Sequence, residues 1–295
     1  MTSAPVASTA PRPMTRAALR ALRDSVDRAR CSPSVEDSQP WRWLLLPDRL
    51  ELHADRSQGV ARLDPVGREL VLSLGSVLLG LQVAAAGRGT SLEVDRTAVD
   101  WQRGPTAVLR PADGPPDRRL SALSPVLELR RTTRTPLVAD DWPSLLADDL
   151  RSAAADSGAA LTVLAPRTAA AVAGWTAEAA AGAVGPGRLR VGPNLLSRVP
   201  LAAVSTAGDG PEDWLRAGEA VHRVLLEITR HGFQGGPSTR VTEEPDVRAL
   251  AGRLACPGRH LQALVRIGRG LPAPGRPPRR GFDDVLTDRS GSRSA

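Results

Sequence analysis

The sequence predicts an α+β fold built from two related halves in one chain, and three observations predict it. The apolar run Trp41-Arg42-Trp43-Leu44-Leu45-Leu46 is followed by a Pro47-Asp48 turn and by Arg49–Ala54, whose leucines alternate with polar residues as in a half-buried hairpin partner. Between Glu69 and Arg88 lie 18 uncharged residues that include Ser73, Ser76, Gln82 and several glycines. A membrane span needs ~20 strongly apolar residues, so this stretch reads as a buried helix. Finally, Gly75–Gly89 overlays Gly218–Gly232 at an offset of 143 residues, which puts Leu78, Leu81 and Ala85 on Val221, Val224 and Ile228. Each segment then carries the same i, i+3, i+7 apolar stripe, as two helices packed across a subunit interface would.

The remaining elements follow in order. Residues 1–13 are small, polar and Pro-containing, without the apolar core of a signal peptide, and read as a disordered tail. Apolar residues recur at helical spacing from Thr15 to Arg30, and Asp64-Pro65 opens the apolar helix as cap and first-turn proline. Arg110–Arg119 and Gly182–Pro193 are rich in Pro and Gly and read as loops, the second as a mobile cover. The polar, Ser/Arg-rich end from Thr287 to Ala295 is expected to fray. The halves are expected at 14–125 and 126–286, with disordered tails at 1–13 and 287–295.

Composition narrows the function classes. The 295 residues are 41% hydrophobic but only 3% aromatic, without Tyr, so the core must be Leu, Val and Ala. The formal charge of +7 comes entirely from Arg, since the chain has no Lys. That removes phosphate-loop nucleotide hydrolysis and Schiff-base chemistry. The arginines are interleaved with acids and lack companion aromatics, so neither a nucleic-acid nor a membrane partner is expected. Cys31 and Cys256 are too few for a disulfide scaffold and suit a reducing, cytoplasmic setting. His53, His222, His231 and His260 show no metal-ligand spacing and read as surface or structural residues, so no metal is expected. Neither a Gly-x-Ser-x-Gly elbow nor a Gly-x-Gly-x-x-Gly fingerprint occurs, against a hydrolase of that type or a nicotinamide-binding Rossmann domain.

Two segments carry candidate chemistry. Pro33-Ser34-Val35-Glu36-Asp37-Ser38-Gln39-Pro40 packs hydroxyls and an amide between prolines, directly before the first strand. Prolines stiffen their neighbours, so Ser34, Ser38 and Gln39 would form a fixed polar wall suited to a flavin's carbonyls and hydroxyls. Arg130-Arg131-Thr132-Thr133-Arg134 supplies planar guanidinium forks that can grip a phosphate bidentately. Taken alone, the first segment is an ordinary helix-to-strand connection and the second a solvated face.

The order of the pieces adds a resemblance. The Pro33–Trp43 segment, Ala54-Asp55-Arg56-Ser57, Asp64-Pro65 with Gly67-Arg68-Glu69-Leu70, the Arg-Thr run and Glu212–Gly218 resemble the Acg-type, FMN-binding branch of the nitroreductase-like flavoproteins. Leu264–Gly268 followed by Pro272-Ala273-Pro274 and Pro278-Arg279-Arg280 is similar to the basic ending of that family. The resemblance implies a nitroreductase-like pseudo-dimer in which one chain makes one FMN site. By it, Arg130, Arg131 and Arg134 bind the phosphate, with Arg279 or Arg280 closing round it. Pro33, Ser34, Ser38 and Gln39 line the flavin, and the backbone at Ser238, Thr239 and Arg240 approaches ring atom N5. Glu36-Asp37 stands where Acg-type relatives carry His-Asn, which sets a carboxylate beside the phosphate. The implied activity is two-electron reduction of nitroaromatic or quinone-type acceptors by NADH or NADPH, with no catalytic side chain because the flavin carries the chemistry. The alternatives are a flavin-sequestering protein with little turnover and a cofactor-free scaffold. A monomer open to further oligomerisation is expected.

Overall fold

The computed structural model describes residues 13–58, 64–96, 101–133, 137–138, 144–182, 199–238, 245–271, 275 and 277–291, with backbone alone at 144, 175–182 and 238. Two sheets, each backed by helices, make a mixed α+β molecule. Helix α1 (Arg16–Ala29) starts where the Thr15 hydroxyl accepts from the Ala18 N–H at 3.2 Å. Strands β1 (Trp41–Leu45) and β2 (Leu50–Ala54) form the expected antiparallel hairpin, with Trp43 opposite Leu52. After helix α2 (Arg68–Ala86), strands β3 (Ser91–Asp95) and β4 (Ala107–Ala112) complete this side, and helix α3 (Arg118–Leu123) follows. The second sheet uses β5 (Ala160–Val163), β6 (Leu201–Thr206), β7 (Gln234–Ser238) and β8 (His260–Gly268) in the order β5-β6-β8-β7, all antiparallel neighbours. Helices α4 (Ser144–Ala155), α5 (Pro166–Gly182), α6 (Pro211–Arg230) and α7 (Pro245–Ala255) accompany it.

The chain then returns to the first sheet. Helix α8 (Phe282–Val285) leads into β9 (Leu286–Asp288), which lies parallel to β1 with Trp43 opposite Leu286. The first sheet is therefore β3-β4-β2-β1-β9. This corrects the expectation of fraying from Thr287: Thr287 and Asp288 are strand, Arg289 N donates to Leu45 O at 2.8 Å, and Arg23 pairs with Asp288. A strand of three residues shows no alternation to read; residues 292–295 lie outside the described residues, as does most of the expected 182–193 cover.

Other boundaries moved for local reasons. Helix α2 starts at Arg68, not at Pro65, because Gly67 is left-handed at φ 81 and interrupts the helical path. Asp64 still satisfies an early amide, accepting from Leu70 N at 2.8 Å. Strand β4 runs into the expected 110–119 loop, and Asp117 caps α3 by accepting from Arg119 N at 2.7 Å.

Helices α2 and α6 cross at the centre, where Gly75 and Gly218 approach each other. A Cβ on Gly75 would sit 2.0 Å from Leu215 O and 3.0 Å from the Gly218 Cα, while one on Gly218 would sit 2.0 Å from Leu72 O. The two glycines that coincide in the sequence overlay thus meet in space. Although α2 is long and apolar enough to span a membrane, it is buried inside the protein by α1, α6 and the first sheet. Near the crossing, buried Arg68 pairs with Glu69 and donates to Gln262 O at 2.9 Å, tying α2 to β8.

Candidate functional site

The Pro33–Pro40 loop is held in an unusual backbone shape. Glu36, Asp37 and Gln39 all have positive φ (47, 55 and 50) although none is glycine. Each such residue costs about 1–3 kcal/mol, so surrounding contacts must enforce the shape. They are visible. Ser34 Oγ accepts from Gln39 N at 3.0 Å, and Ser73 Oγ on α2 accepts from Val35 N at 3.1 Å. The returning tail grips the Gln39 side chain from both sides: Nε2 donates to Pro278 O at 3.2 Å and Oε1 accepts from Arg280 N at 3.0 Å.

Arg280, expected with Arg279 as one of two arginines that could close round a phosphate, fastens this arrangement as a latch. Its guanidinium donates to Gln39 O at 3.0 Å, Trp41 O at 3.1 Å and Asp284 O at 2.9 Å, and pairs with Asp55 at 3.0 Å. With its forks committed to protein acceptors, it fastens loop to tail. Burial alone would raise the Asp55 pKa, but hydrogen bonds from Ser57 and Arg42 and the charges of Arg42 and Arg280 outweigh it and hold the carboxyl below its ordinary value. A lowered folded pKa contributes stability that is present above the unfolded value of ~3.9 and lost as pH falls through the folded value. The latch should therefore weaken only in acid. We expect the difference in urea midpoint between the wild type and Asp55→Asn to be large at pH 7 and to shrink below about pH 4; a constant difference across that range would contradict the assignment.

Arg130 and Arg279 lie close to each other. They come from distant sequence positions and converge on one carbonyl: Arg130 NH2 donates to Cys31 O at 3.2 Å, and Arg279 NH2 donates to the same oxygen at 3.4 Å. Arg130 is buried, and its Nε finds no acceptor among the described residues. Burial, reinforced by the positive charges of Arg279 and Arg131, pulls its pKa down to about 10, so it is still charged at neutral pH. Ser32 and Ser38 add two buried hydroxyls without a partner among the described residues. Arg130 Nε and the Ser32 and Ser38 hydroxyls, which have no hydrogen-bond partner among the described residues, are groups of the kind that bond an anion such as a phosphate monoester. Asp37 stands 3.9 Å from Arg279 NH1, close enough to compete for that cation.

The other expected residues sort as follows. Pro33 is buried in the loop. Arg131 turns back, its NH1 donating to Glu128 O at 2.6 Å and Arg130 O at 2.9 Å. Thr132 bridges Gly235, and Thr133 N donates to Gly235 O at 3.2 Å, so the run lies along the edge strand that ends at Ser238. Arg134, Thr239 and Arg240 lie outside the described residues.

Sequence reasoning missed Ser32 and undervalued His222. His222 is fully buried on α6, and the Gly80 position on α2 brings it beside the loop: a Cβ there would lie 2.2 Å from Ser32 Oγ and 3.3 Å from the His222 Cε1. The available signal was the overlay, in which His222 falls on the apolar Leu79. A second unforeseen group joins Asp149, Glu227 and His231, whose ligand atoms lie within 4.8 Å of one another. Arg230 already bridges it, at 2.6 Å from Glu227 and 3.2 Å from Asp149, so its cation is the protein's own.

A mixed α+β protein in which Arg130 and Arg279 converge on one backbone carbonyl is the class defined so far. No family model matches the chain. It is 30% identical over 281 residues to a Mycobacterium tuberculosis H37Rv protein provisionally named NAD(P)H nitroreductase Rv3131, covering 80% of this chain and 81% of that one. It is 28% identical over 318 residues to the H37Rv protein provisionally named NAD(P)H nitroreductase acg, covering 90% and 95%. The chain belongs to this Acg-type family of the nitroreductase superfamily. Among solved structures it is similar to the FMN-dependent nitroreductase NfnB of Mycobacterium smegmatis in complex with NADPH, with a TM-score of 0.44 and 14% identity over 59% of this chain and 98% of that one.

Proposed function

We propose that the chain is an FMN-binding NAD(P)H oxidoreductase that reduces nitroaromatic or quinone-type acceptors, and that its halves at 14–125 and 126–286 form a pseudo-dimer around one FMN. The observation that carries the reading is the convergence of Arg130 and Arg279 on Cys31 O, in a loop region whose Ser32 and Ser38 hydroxyls are buried without a partner among the described residues. The meeting of Gly75 and Gly218 supports the pseudo-dimer, since equivalent positions of two related halves meet at a pseudo-twofold axis.

In this reading Arg130 and Arg279 hold the phosphate through charge-assisted hydrogen bonds, and Ser38 and Ser32 donate to it. The strained loop, pinned by Arg280, Gln39 and Ser73, presents a rigid wall to the flavin, while the edge at Ser238 flanks the other side. FMN would supply hydride acceptance from the nicotinamide and its delivery to the acceptor. The protein's share is anchorage, orientation and exclusion of water, which needs no side-chain acid or base.

The test is the visible spectrum of the purified protein, followed by NADH or NADPH added without air. A yellow protein that bleaches supports the reading. Colour that persists with both donors points instead to flavin storage, and a colourless protein that binds no added FMN contradicts every flavin role.

A further inference from the structure

We propose that His222 is the proton-holding member of the anion site: with Ser32 beside it, its Nε2 keeps one proton together with the bound phosphate group, so that binding draws a proton from solvent. The inference rests on the phosphate site proposed above and extends it to a residue on the opposite helix.

The tautomer follows from the partners. His222 Nδ1 lies 2.7 Å from Ser76 O, and a carbonyl only accepts, so Nδ1 carries the hydrogen. In the neutral ring Nε2 then has a lone pair and no hydrogen. That atom is buried and has no partner among the described residues, as is true of Ser32 Oγ. A carbonyl-anchored imidazole packed beside Ser32 and within the field of Arg130 and Arg279, with its other nitrogen buried and unbonded among the described residues, is an uncompleted contact, because buried polar atoms are nearly always bonded.

The charges around the ring explain why the contact waits for a ligand. Burial first, then the nearby positive charge of Arg130, lower the His222 pKa to about 3, with Arg279 adding to the effect and the Ser76 bond opposing it. From α2 the ring meets Ser76 and Gly80, which carry no charge; from the loop it meets Ser32, with Cys31 next in the chain. Asp37 is engaged with Arg279, and on α6 itself Glu219 is engaged with Arg96 and Arg223 lies against Ser157 and Asp156. A bound dianion reverses the sign of this field. A bare lone pair facing a phosphate dianion is repulsive, so a hydrogen must lie between Nε2 and a phosphate oxygen. Whether it is counted on the ring or on the phosphate, the pair retains one proton. Free phosphate monoesters have a second pKa near ~6 and are mostly dianions at pH 8, so that proton comes from solvent.

The experiment is calorimetric titration of the full chain with FMN in two buffers of different ionisation enthalpy. Uptake of about one proton is expected at pH 8 and almost none at pH 5, where the free phosphate already carries it. Affinity should fall up to about tenfold per pH unit between pH 7 and 9. His222→Gln should abolish the uptake and flatten the slope, whereas Asp37→Asn should leave both in place. If FMN binds without proton uptake at pH 8, or if uptake vanishes in Asp37→Asn, the role of His222 is overturned and the phosphate site stands. If FMN binds at no pH, both fall. The wild-type and Asp37→Asn measurements decide the matter even where His222→Gln does not fold.

Discussion

Gly218→Leu is expected to cost the fold about 3 kcal/mol or more, the upper end of overpacking penalties, because the added carbon meets backbone and not a side chain that can swing away. Its Cβ would sit 2.0 Å from Leu72 O, and relief requires the α2–α6 crossing to open. That crossing lies between the cores of the two sheets, so strain there is felt by both. Gly75→Leu should behave alike, since its Cβ would lie 2.0 Å from Leu215 O. Gly174 on α5 is the control: among the described residues nothing lies within 4 Å of its Cβ position, and Gly174→Ala should stabilise the helix by about 0.5–1 kcal/mol. Urea midpoints read all three. Equal midpoints for Gly218→Leu and the wild type would mean that the helices do not approach as closely as described.

Periodicity and apolar runs made part of the fold legible. The hairpin, α1 and α6 carry period-2 or period-3.6 patterns, the uncharged run marks α2, and the glycine echo pointed to two helices packed against each other. Strand β9 was not legible, because Leu286, Thr287 and Asp288 become a strand only through pairing with β1. At the site, residue types pointed to the loop and the arginine run, but not to the division of labour within the basic tail. Arg279 and Arg280 are adjacent and chemically identical; only tertiary placement sends one to Cys31 O and the other to Gln39, Trp41 and Asp55. His222 stayed hidden because one polar residue in a helical stripe commonly satisfies itself within the core. Its unsatisfied Nε2 is a property of packing.

The largest expected functional effect comes from Arg130. Hydrogen bonds to charged groups contribute about 1.5–3 kcal/mol, so Arg130→Ala should weaken FMN binding by roughly ten- to a hundredfold. Asp37→Asn should act in the opposite direction by removing the carboxylate that faces Arg279 at 3.9 Å. The two variants have opposite signs because one removes a cation from the anion site and the other removes a competing anion. Arg130 also donates to Cys31 O and Thr132 Oγ1, so the affinity comparison belongs at a urea-free temperature where circular dichroism shows Arg130→Ala folded.

The most direct measurement is therefore an FMN fluorescence-quenching titration of wild type, Arg130→Ala and Asp37→Asn side by side. Tighter binding by Asp37→Asn and at least tenfold weaker binding by a folded Arg130→Ala are the predicted results. Unchanged affinity in Arg130→Ala would contradict the phosphate site on which the functional account rests.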